Sequence, residues 1–451
     1  MKLLIRILFL LLPGSFGPLQ LAAQENPPAA GALTLEQCIA YALQNRPSVQ
    51  QAFIDEQIAE REIRASLADW LPQVHATGNL QHYLKMPVVI FPNEAGVLVP
   101  RTIGTVNTSN FSVLADQTIF SNEVVTASRG ARYIRRQSDQ ITINEKINTI
   151  VRVSQAFYDV LLTREQLKIL DQDIIRQEKQ LKDAFAQYQS GLVDKTDYMR
   201  AEISLGNVRS RRNRTQEEIK AKNAFLKEMI GYPTGSNLQI AFEPIRMEQY
   251  LLTDTLQELA YTNRIEFQQL QTQKQIQELT VNYYKWGFLP SLSGFANYNL
   301  VYQDNDFQQL YQQSYPNSLI GLRVAVPIFQ GTRRIQNLRR AQLQQKRLDL
   351  DIANTKNRIN TEYEEALANY KSNLNELETV RRNVATAEEV YRIIKLQDDE
   401  GIKPYLDLIL AEAEIRVTQL NYLNTLYRVL VSKLEVERAT GTINVNAYEP
   451  K

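Results

Sequence analysis

The chain has 451 residues, with 51 Lys and Arg against 50 Asp and Glu and a formal net charge of +1. So balanced a charge provides no strongly basic surface, and we therefore expect no nucleic-acid partner. One cysteine, Cys38, excludes a disulfide framework and a multi-cysteine metal site, and two histidines leave little for histidine-based catalysis. Only 17 Gly and 16 Pro predict few turns and therefore long elements.

The first 23 residues have the pattern of a secretory signal peptide. Lys2 and Arg6 form a basic start, residues 7–12 are apolar, and small residues allow cleavage near Ala23. An N-terminal membrane anchor is the alternative, but Pro13 interrupts the apolar run well short of the ~20 residues that a span needs. A short linker, residues 24–33, follows the predicted cleavage site.

Short motifs recur in the same order along the chain and predict two copies of one unit. The pairs are Asn45-Arg46 with Asn263-Arg264, Trp70-Leu71-Pro72 with Phe288-Leu289-Pro290, Ile119-Phe120 with Ile328-Phe329, Gly191 with Gly401, and Gly231 with Gly441. The offset is 218 residues for the first two pairs and 209 or 210 for the others, so the second copy has a shorter connection after Pro290. We expect repeat 1 over 34–233, a linker over 234–251, repeat 2 over 252–441 and a tail over 442–451.

Each repeat is predicted to contain one very long helix, over 121–190 in the first and 331–400 in the second. Both segments are rich in helix-forming residues with apolar positions three and four apart. The shorter predicted helices span 37 residues each, over 34–70, 194–230, 252–288 and 404–440. Two short helices placed end to end equal one long helix in length. Each repeat is therefore predicted to form a hairpin of one continuous helix and one interrupted helix.

The helical hairpins turn at two tips where a glycine suits the C′ position, Gly191 and Gly401. Asp194 is suited to the N-cap of the first returning helix, and Pro404 to position N1 of the second. The apolar residues at these turns, Leu192, Val193 and Ile402, are predicted to be exposed at the ends of the hairpins.

Two segments in each repeat alternate apolar and polar residues, as membrane barrel strands do. They are 73–83 and 108–120 in the first repeat, and 291–302 and 318–329 in the second. An antiparallel sheet over a soluble core is the alternative interpretation. Four strands cannot close in lipid without leaving unpaired edges, so several copies must assemble, and three or more would enclose an aqueous lumen.

This order of elements resembles the TolC family of outer-membrane efflux channels. The segments that carry the resemblance are residues 33–47, Trp70-Leu71-Pro72, residues 188–197 and Phe329-Gln330-Gly331. The resemblance implies an α+β membrane protein in which a long α-helical barrel, or tunnel, continues into a transmembrane β-barrel with four strands per protomer. It also implies a homotrimer in contact with outer-membrane lipid of a Gram-negative bacterium, extending into the periplasm. Cys38 lies within a helix start rather than at the cleavage site, so the chain departs from the lipidated branch of the family.

The resemblance further implies a periplasmic adaptor protein and an inner-membrane pump of RND or ABC type as partners, with export of small molecules as the function. Type I protein secretion is one alternative, because both systems use this kind of subunit. A soluble periplasmic coiled-coil scaffold is a second. No constellation of acid, base and nucleophile indicates an enzyme, and we expect no metal and no cofactor.

We place the candidate gate and docking residues at the tips. By the family resemblance, Gly191, Leu192, Val193, Gly401 and Ile402 would face the adaptor. Three copies of Asp407 would form a carboxylate ring that favours cations, although the alternative is an ordinary charge at a helix N-terminus.

Two further features belong to the predicted gate. Leu410 stands where the family often carries a second Asp, which predicts a single charged ring beside an apolar constriction. Lys403 and Asp197, which follows Thr196, are predicted to form a salt bridge between neighbouring hairpins.

Overall fold

The computed structural model describes residues 32–94, 96–191, 193–241, 251 and 259–448. The predicted signal peptide and nearly all of the N-terminal linker lie outside these residues, as do Leu192 and the start of the predicted helix at 252. None of the helices in the described part of the chain combines the length and apolar character that crossing a membrane requires.

The first half of the chain contains two short helices, four strands and a pair of long helices. In chain order these are α1 Leu35–Asn45, α2 Pro47–Ala68, β1 Gln73–His82, β2 Val88–Pro92, β3 Leu98–Thr102, β4 Asn107–Phe120, α3 Asn122–Gln189 and α4 Lys195–Ile230. Thr34 begins α1 with a capping box to Gln37. The single helix predicted over 34–70 is wrong, because Arg46 is extended and separates α1 from α2. A proline disfavours helical backbone at the residue before it, and Pro47 therefore causes the break at Arg46.

The second half contains one short helix, two strands and a pair of long helices, with a shorter connection between its strands. Its elements are a 3₁₀ turn Tyr261–Asn263, α5 Ile265–Lys285, β5 Ser291–Asp304, β6 Ser314–Ala325, α6 Arg333–Asp399, α7 Tyr405–Thr440 and a 3₁₀ turn Val445–Tyr448. The bounds of the helix predicted over 252–288 are wrong within the described residues. The helix begins only at Ile265 and ends at Lys285. The strand predicted over 318–329 ends at Ala325, since Pro327 has no N–H for a ladder, and its partner over 291–302 extends to Asp304.

Two very long helices define the length of the molecule. Helix α3 has 68 residues and α6 has 67, so each extends for roughly 100 Å. Helix α3 packs against α2 and α5 near the strands and against α4 and α7 towards the tips, while α5 and α7 pack against α6. The main hydrophobic core lies around the middle of α3, where Val153, Val160 and Leu161 contact α1 and the ends of α4 and α7.

The recurring sequence motifs meet at two equivalent joints. Gly231 ends α4 with φ +70°, and a Cβ added there would lie 2.7 Å from the carbonyl oxygen of Asn45. Gly441 ends α7 with φ +72°, and a Cβ there would lie 2.7 Å from the carbonyl oxygen of Asn263. The arginine after each asparagine is buried. In each half, glycine therefore permits both the left-handed backbone and the close approach of the preceding short helix.

The four longer strands form one antiparallel sheet in the order β1-β4-β5-β6. The register places Val74, Ala115, Ala296 and Ile320 side by side, so the apolar positions of the four strands share one face. Strands β1 and β6 are the edges, and neither has a partner on its outer side within this sheet. Strands β2 and β3 form a separate hairpin in the connection between β1 and β4, and the sequence analysis did not predict it.

Candidate functional site

One face of the four-stranded sheet is apolar and uncovered. On β6, Ile320 is 88% exposed, and Leu322 and Val324 on the same face are also largely exposed. The opposite face is polar, and its side chains bond across the strands: Ser112 donates to Asn297 at 2.9 Å. An apolar face of this kind costs free energy in water, whereas lipid solvates it.

Aromatic and basic side chains surround the junction between the sheet and the helices. Trp286 and Phe288 lie between α5 and β5, with ring centroids 5.9 Å apart. Lys285 Nζ lies 5.8 Å from the Trp286 ring, and the Arg334 guanidinium 5.8 Å from the Phe288 ring. Aromatic rings beside basic groups are typical of the boundary between membrane and water. The sequence analysis recorded Phe288 only as part of a repeat motif and did not single out Trp286.

The predicted docking residues lie at the far ends of the helical hairpins. Gly191 and Gly401 have φ +77° and +69°, and the space around each is open, which confirms the glycine turns. Ile402 is 71% exposed and Val193 is half-buried, while Leu192 lies outside the described residues. Asp194 precedes α4 at the predicted N-cap without a side-chain capping bond. Pro404 occupies the N-cap of α7 instead of N1.

The predicted gate residues lie in the first turns of α4 and α7. Asp407 is in the first turn of α7, and Leu410 is exposed one turn further. Lys403 Nζ lies 3.2 Å from Asp407 Oδ2, while Asp197, next to exposed Thr196, has Oδ1 3.8 Å from Arg200. Within one chain, both members of the predicted Lys403–Asp197 bridge thus have a local partner, three or four positions away in the sequence.

A buried polar cluster joins the first helical hairpin to the second, about three to five turns of helix from the tips. Asp173 on α3 and Glu412 on α7 are both fully buried. Arg416 Nη1 lies 2.8 Å from Asp173 Oδ2, and Arg176 Nη2 lies 3.3 Å from Asp173 Oδ1. Gln180 Nε2 donates to Glu412 Oε1. These contacts hold α7 against α3.

The surroundings of the cluster favour an uncharged Glu412. Burial, followed by the negative charge of Asp173, raises the pKa of Glu412 to about 7, against the lowering effects of Arg176, Gln180 and Tyr391. Burial also raises the pKa of Tyr391 to about 12. The sequence analysis missed this cluster, although one signal was present: Glu412 lies on the same face of α7 as the buried Leu408 and Ile415.

Comparison with known proteins places the chain in a family. The family model for outer membrane efflux proteins matches residues 38–232 and 256–442. The protease secretion protein PrtF of Dickeya chrysanthemi is 20% identical over 422 residues, covering 89% of this chain and 87% of the relative. The outer membrane protein TolC of Vibrio cholerae is 20% identical over 416 residues, covering 89% of each.

The fold agrees with that assignment. A crystal structure of CusC, which is 17% identical, superimposes with a TM-score of 0.73 over 90% of this chain and 91% of the other. The uncovered apolar sheet face, the aromatic junction and the long paired helices fit a channel of the outer membrane that extends into the periplasm, and not an enzyme. The chain belongs to the outer membrane efflux protein family.

Proposed function

We propose that three copies of this chain form the outer-membrane channel and periplasmic tunnel of a tripartite efflux system that exports small molecules. The observation that carries the proposal is the open four-stranded sheet, apolar on one face and unpaired at both edges, joined to helices roughly 100 Å long. A periplasmic adaptor and an inner-membrane pump of RND or ABC type would complete the system, with the adaptor at the exposed tips.

Closure of the sheet supports a trimer. Strand β6 of one copy would pair with β1 of the next, and this head-to-tail contact closes into a ring without leaving an edge in lipid. Two copies would give eight strands, whose interior is filled by side chains, whereas three give twelve strands and room for an aqueous lumen. Three copies of the helical hairpins would then continue the lumen as an α-helical barrel.

Two structural repeats would generate this arrangement within one chain. The family model matches two separate stretches, and the equivalent glycine joints at Gly231 and Gly441 recur at the same point of each half. Each repeat would supply two barrel strands and one hairpin of helices to the assembly. This supports the domain boundaries expected from the sequence, with repeats at 34–233 and 252–441.

Protein secretion is the second candidate function, and the relative PrtF favours it by name. A soluble scaffold is disfavoured, because it would leave the apolar sheet face in water.

Expressing the chain in a strain that lacks its own efflux and secretion channels separates the candidates. Efflux predicts lower accumulation of a fluorescent dye with no change in secreted protease, and secretion predicts the reverse. A monomer in detergent by mass would contradict both channel functions.

The assignment of the lipid face predicts different effects for two substitutions on β6. Ile320→Arg places a charge on the apolar face at the middle of β6, which costs roughly 2–4 kcal/mol per copy near the midplane. Leu319→Arg places the same charge on the opposite face, where Arg323 already lies 5.0 Å from the Phe295 ring. We expect Ile320→Arg to reduce the trimer fraction, measured by mass in detergent, and Leu319→Arg to leave it unchanged. Equal losses would show that the two faces have been assigned wrongly.

The proposed carboxylate ring predicts ion selectivity. Asp407→Asn is expected to lower the preference for cations, measured as the reversal potential across a bilayer under a KCl gradient. Lys403→Ala is expected to raise it, because Lys403 lies 3.2 Å from Asp407 and partly neutralises its charge. Asp399→Asn, near the end of α6, is the control for loss of a nearby carboxylate. An unchanged potential in Asp407→Asn would leave Asp407 as an ordinary helix-end charge.

A further inference from the structure

The connection between β1 and β4 carries an apolar hairpin that contacts little else in the chain. We call the paired strands β2 and β3, residues 88–92 and 98–102, the outer ribbon. Because β1 follows α2 and β4 precedes α3, this connection lies at the end of the sheet that faces away from the helices. Apart from half-buried Val99, the described side chains of the outer ribbon are exposed.

Both faces of the outer ribbon are mostly apolar. Its register defines one face of Val88, Ile90, Pro92, Leu98, Pro100 and Thr102, and a second face of Val89, Phe91, Val99 and Arg101. An isolated two-stranded hairpin is marginally stable in water, and apolar side chains on both faces require cover on both. Lipid would cover the faces but would leave the outward N–H and C=O groups of both strands unpaired, whereas beside the water at the channel mouth those groups stay hydrated.

The matching connection of the second half behaves differently. Residues 305–313 fold back on the sheet, where Leu310 is buried and Tyr311 Oη lies 3.3 Å from Ser109 Oγ. The Asn305 side chain also accepts a hydrogen bond from the Val106 backbone N–H at 3.1 Å. This connection is thus attached to the sheet through Leu310 and two hydrogen bonds, although its other residues are exposed, whereas none of the described side chains of the outer ribbon is buried.

We propose that the outer ribbons of three copies pack against one another at the outer mouth of the channel and form an apolar closure. This inference rests on the proposed trimer. The outer ribbon leaves from the end of β1, a free edge of the sheet, so it begins at the contact between copies. In a threefold ring, the Ile90 face of each ribbon packs on the Phe91 face of the next, which covers both faces of every copy. Such an apolar constriction excludes water and ions.

Crosslinking tests this packing directly. In the double variant Ile90→Cys/Phe91→Cys each copy carries one thiol on each face, so a short bis-maleimide is expected to link the three chains into a covalent trimer. Each single variant has a thiol on one face alone and is expected to stay largely unlinked. The native Cys38 is fully buried, and burial raises its pKa to about 12, so it stays an unreactive thiol.

Conductance tests the closure. Ile90→Asp/Phe91→Asp is expected to raise single-channel conductance by at least about threefold, because charge wets an apolar constriction. Phe307→Asp, in the other outer connection, is the control and is expected to have no effect. The mass of each variant in detergent is measured first, since loss of the wild-type trimer would contradict the proposed function itself. An intact trimer with neither crosslinked chains nor raised conductance would overturn the closure and leave outer-leaflet lipid as the cover of the ribbon.

Discussion

Replacing Arg416 with Leu is expected to weaken the packing of α7 against α3 by about 3–5 kcal/mol, because a buried carboxylate then loses its best partner. Asp173 is fully buried, and Arg416 Nη1 lies 2.8 Å from its Oδ2, whereas the remaining cation, Arg176, lies 3.3 Å from its Oδ1. We expect faster amide hydrogen exchange in the first half of α7 and a lower unfolding temperature. In a bilayer, the loosened hairpin is expected to increase the frequency of channel opening.

A matched control and a rescue make this result specific. Arg428→Leu on the same helix removes an ion pair with Glu376 whose side chains are 49% and 43% exposed, and is expected to cost only about 0–1 kcal/mol. Asp173→Leu/Arg416→Leu replaces both charges with apolar groups and is expected to recover most of the loss. Equal effects of Arg416→Leu and Arg428→Leu would show that the buried pair does not hold the two hairpins together.

The sequence predicted the helical hairpins well because their signals are local. Long stretches without proline predicted α3 and α6, and the glycines at 191 and 401 predicted the turns, which the structure confirms to within a few residues. The break between α1 and α2 was missed, although Pro47 provided the local signal for it. The end of β6 was missed because alternation continues through Val326 and Ile328 after the ladder has ended.

Features that depend on distant parts of the chain could not be predicted in the same way. The outer ribbon has no alternation, because both of its faces are mostly apolar, so a pattern of period two does not reveal it. Pairing of β4 with β5 joins the two halves, and no local signal specifies it. Asp173 and Glu412 are 239 positions apart in the sequence and approach only when α3 and α7 pack, so their burial and mutual repulsion follow from tertiary structure alone.

The burial of Glu412 predicts that the packing of α7 depends on pH. Its pKa rises from an ordinary 4.5 to about 7 in the folded protein. Below pH 4.5 the carboxyl is protonated in both states, so it imposes no penalty on the folded state. Between pH 4.5 and 7 the unfolded chain ionises first, and the free energy of unfolding falls by on the order of 3 kcal/mol before levelling off above pH 7.

The groups that face Glu412 determine this result: Asp173, Arg176 and Gln180 from α3, and Tyr391 from α6. We expect urea unfolding of the wild type to show lower stability at pH 8 than at pH 5. Glu412→Gln keeps an oxygen that accepts from Gln180 and cannot ionise, so it is expected to be more stable than the wild type at pH 8. Glu435→Gln, at an exposed position of α7, is expected to keep the wild-type pH dependence. A wild type and Glu412→Gln with the same dependence on pH between 5 and 8 would show that Glu412 is ionised throughout, and that the contacts from Arg176 and Gln180 outweigh its burial.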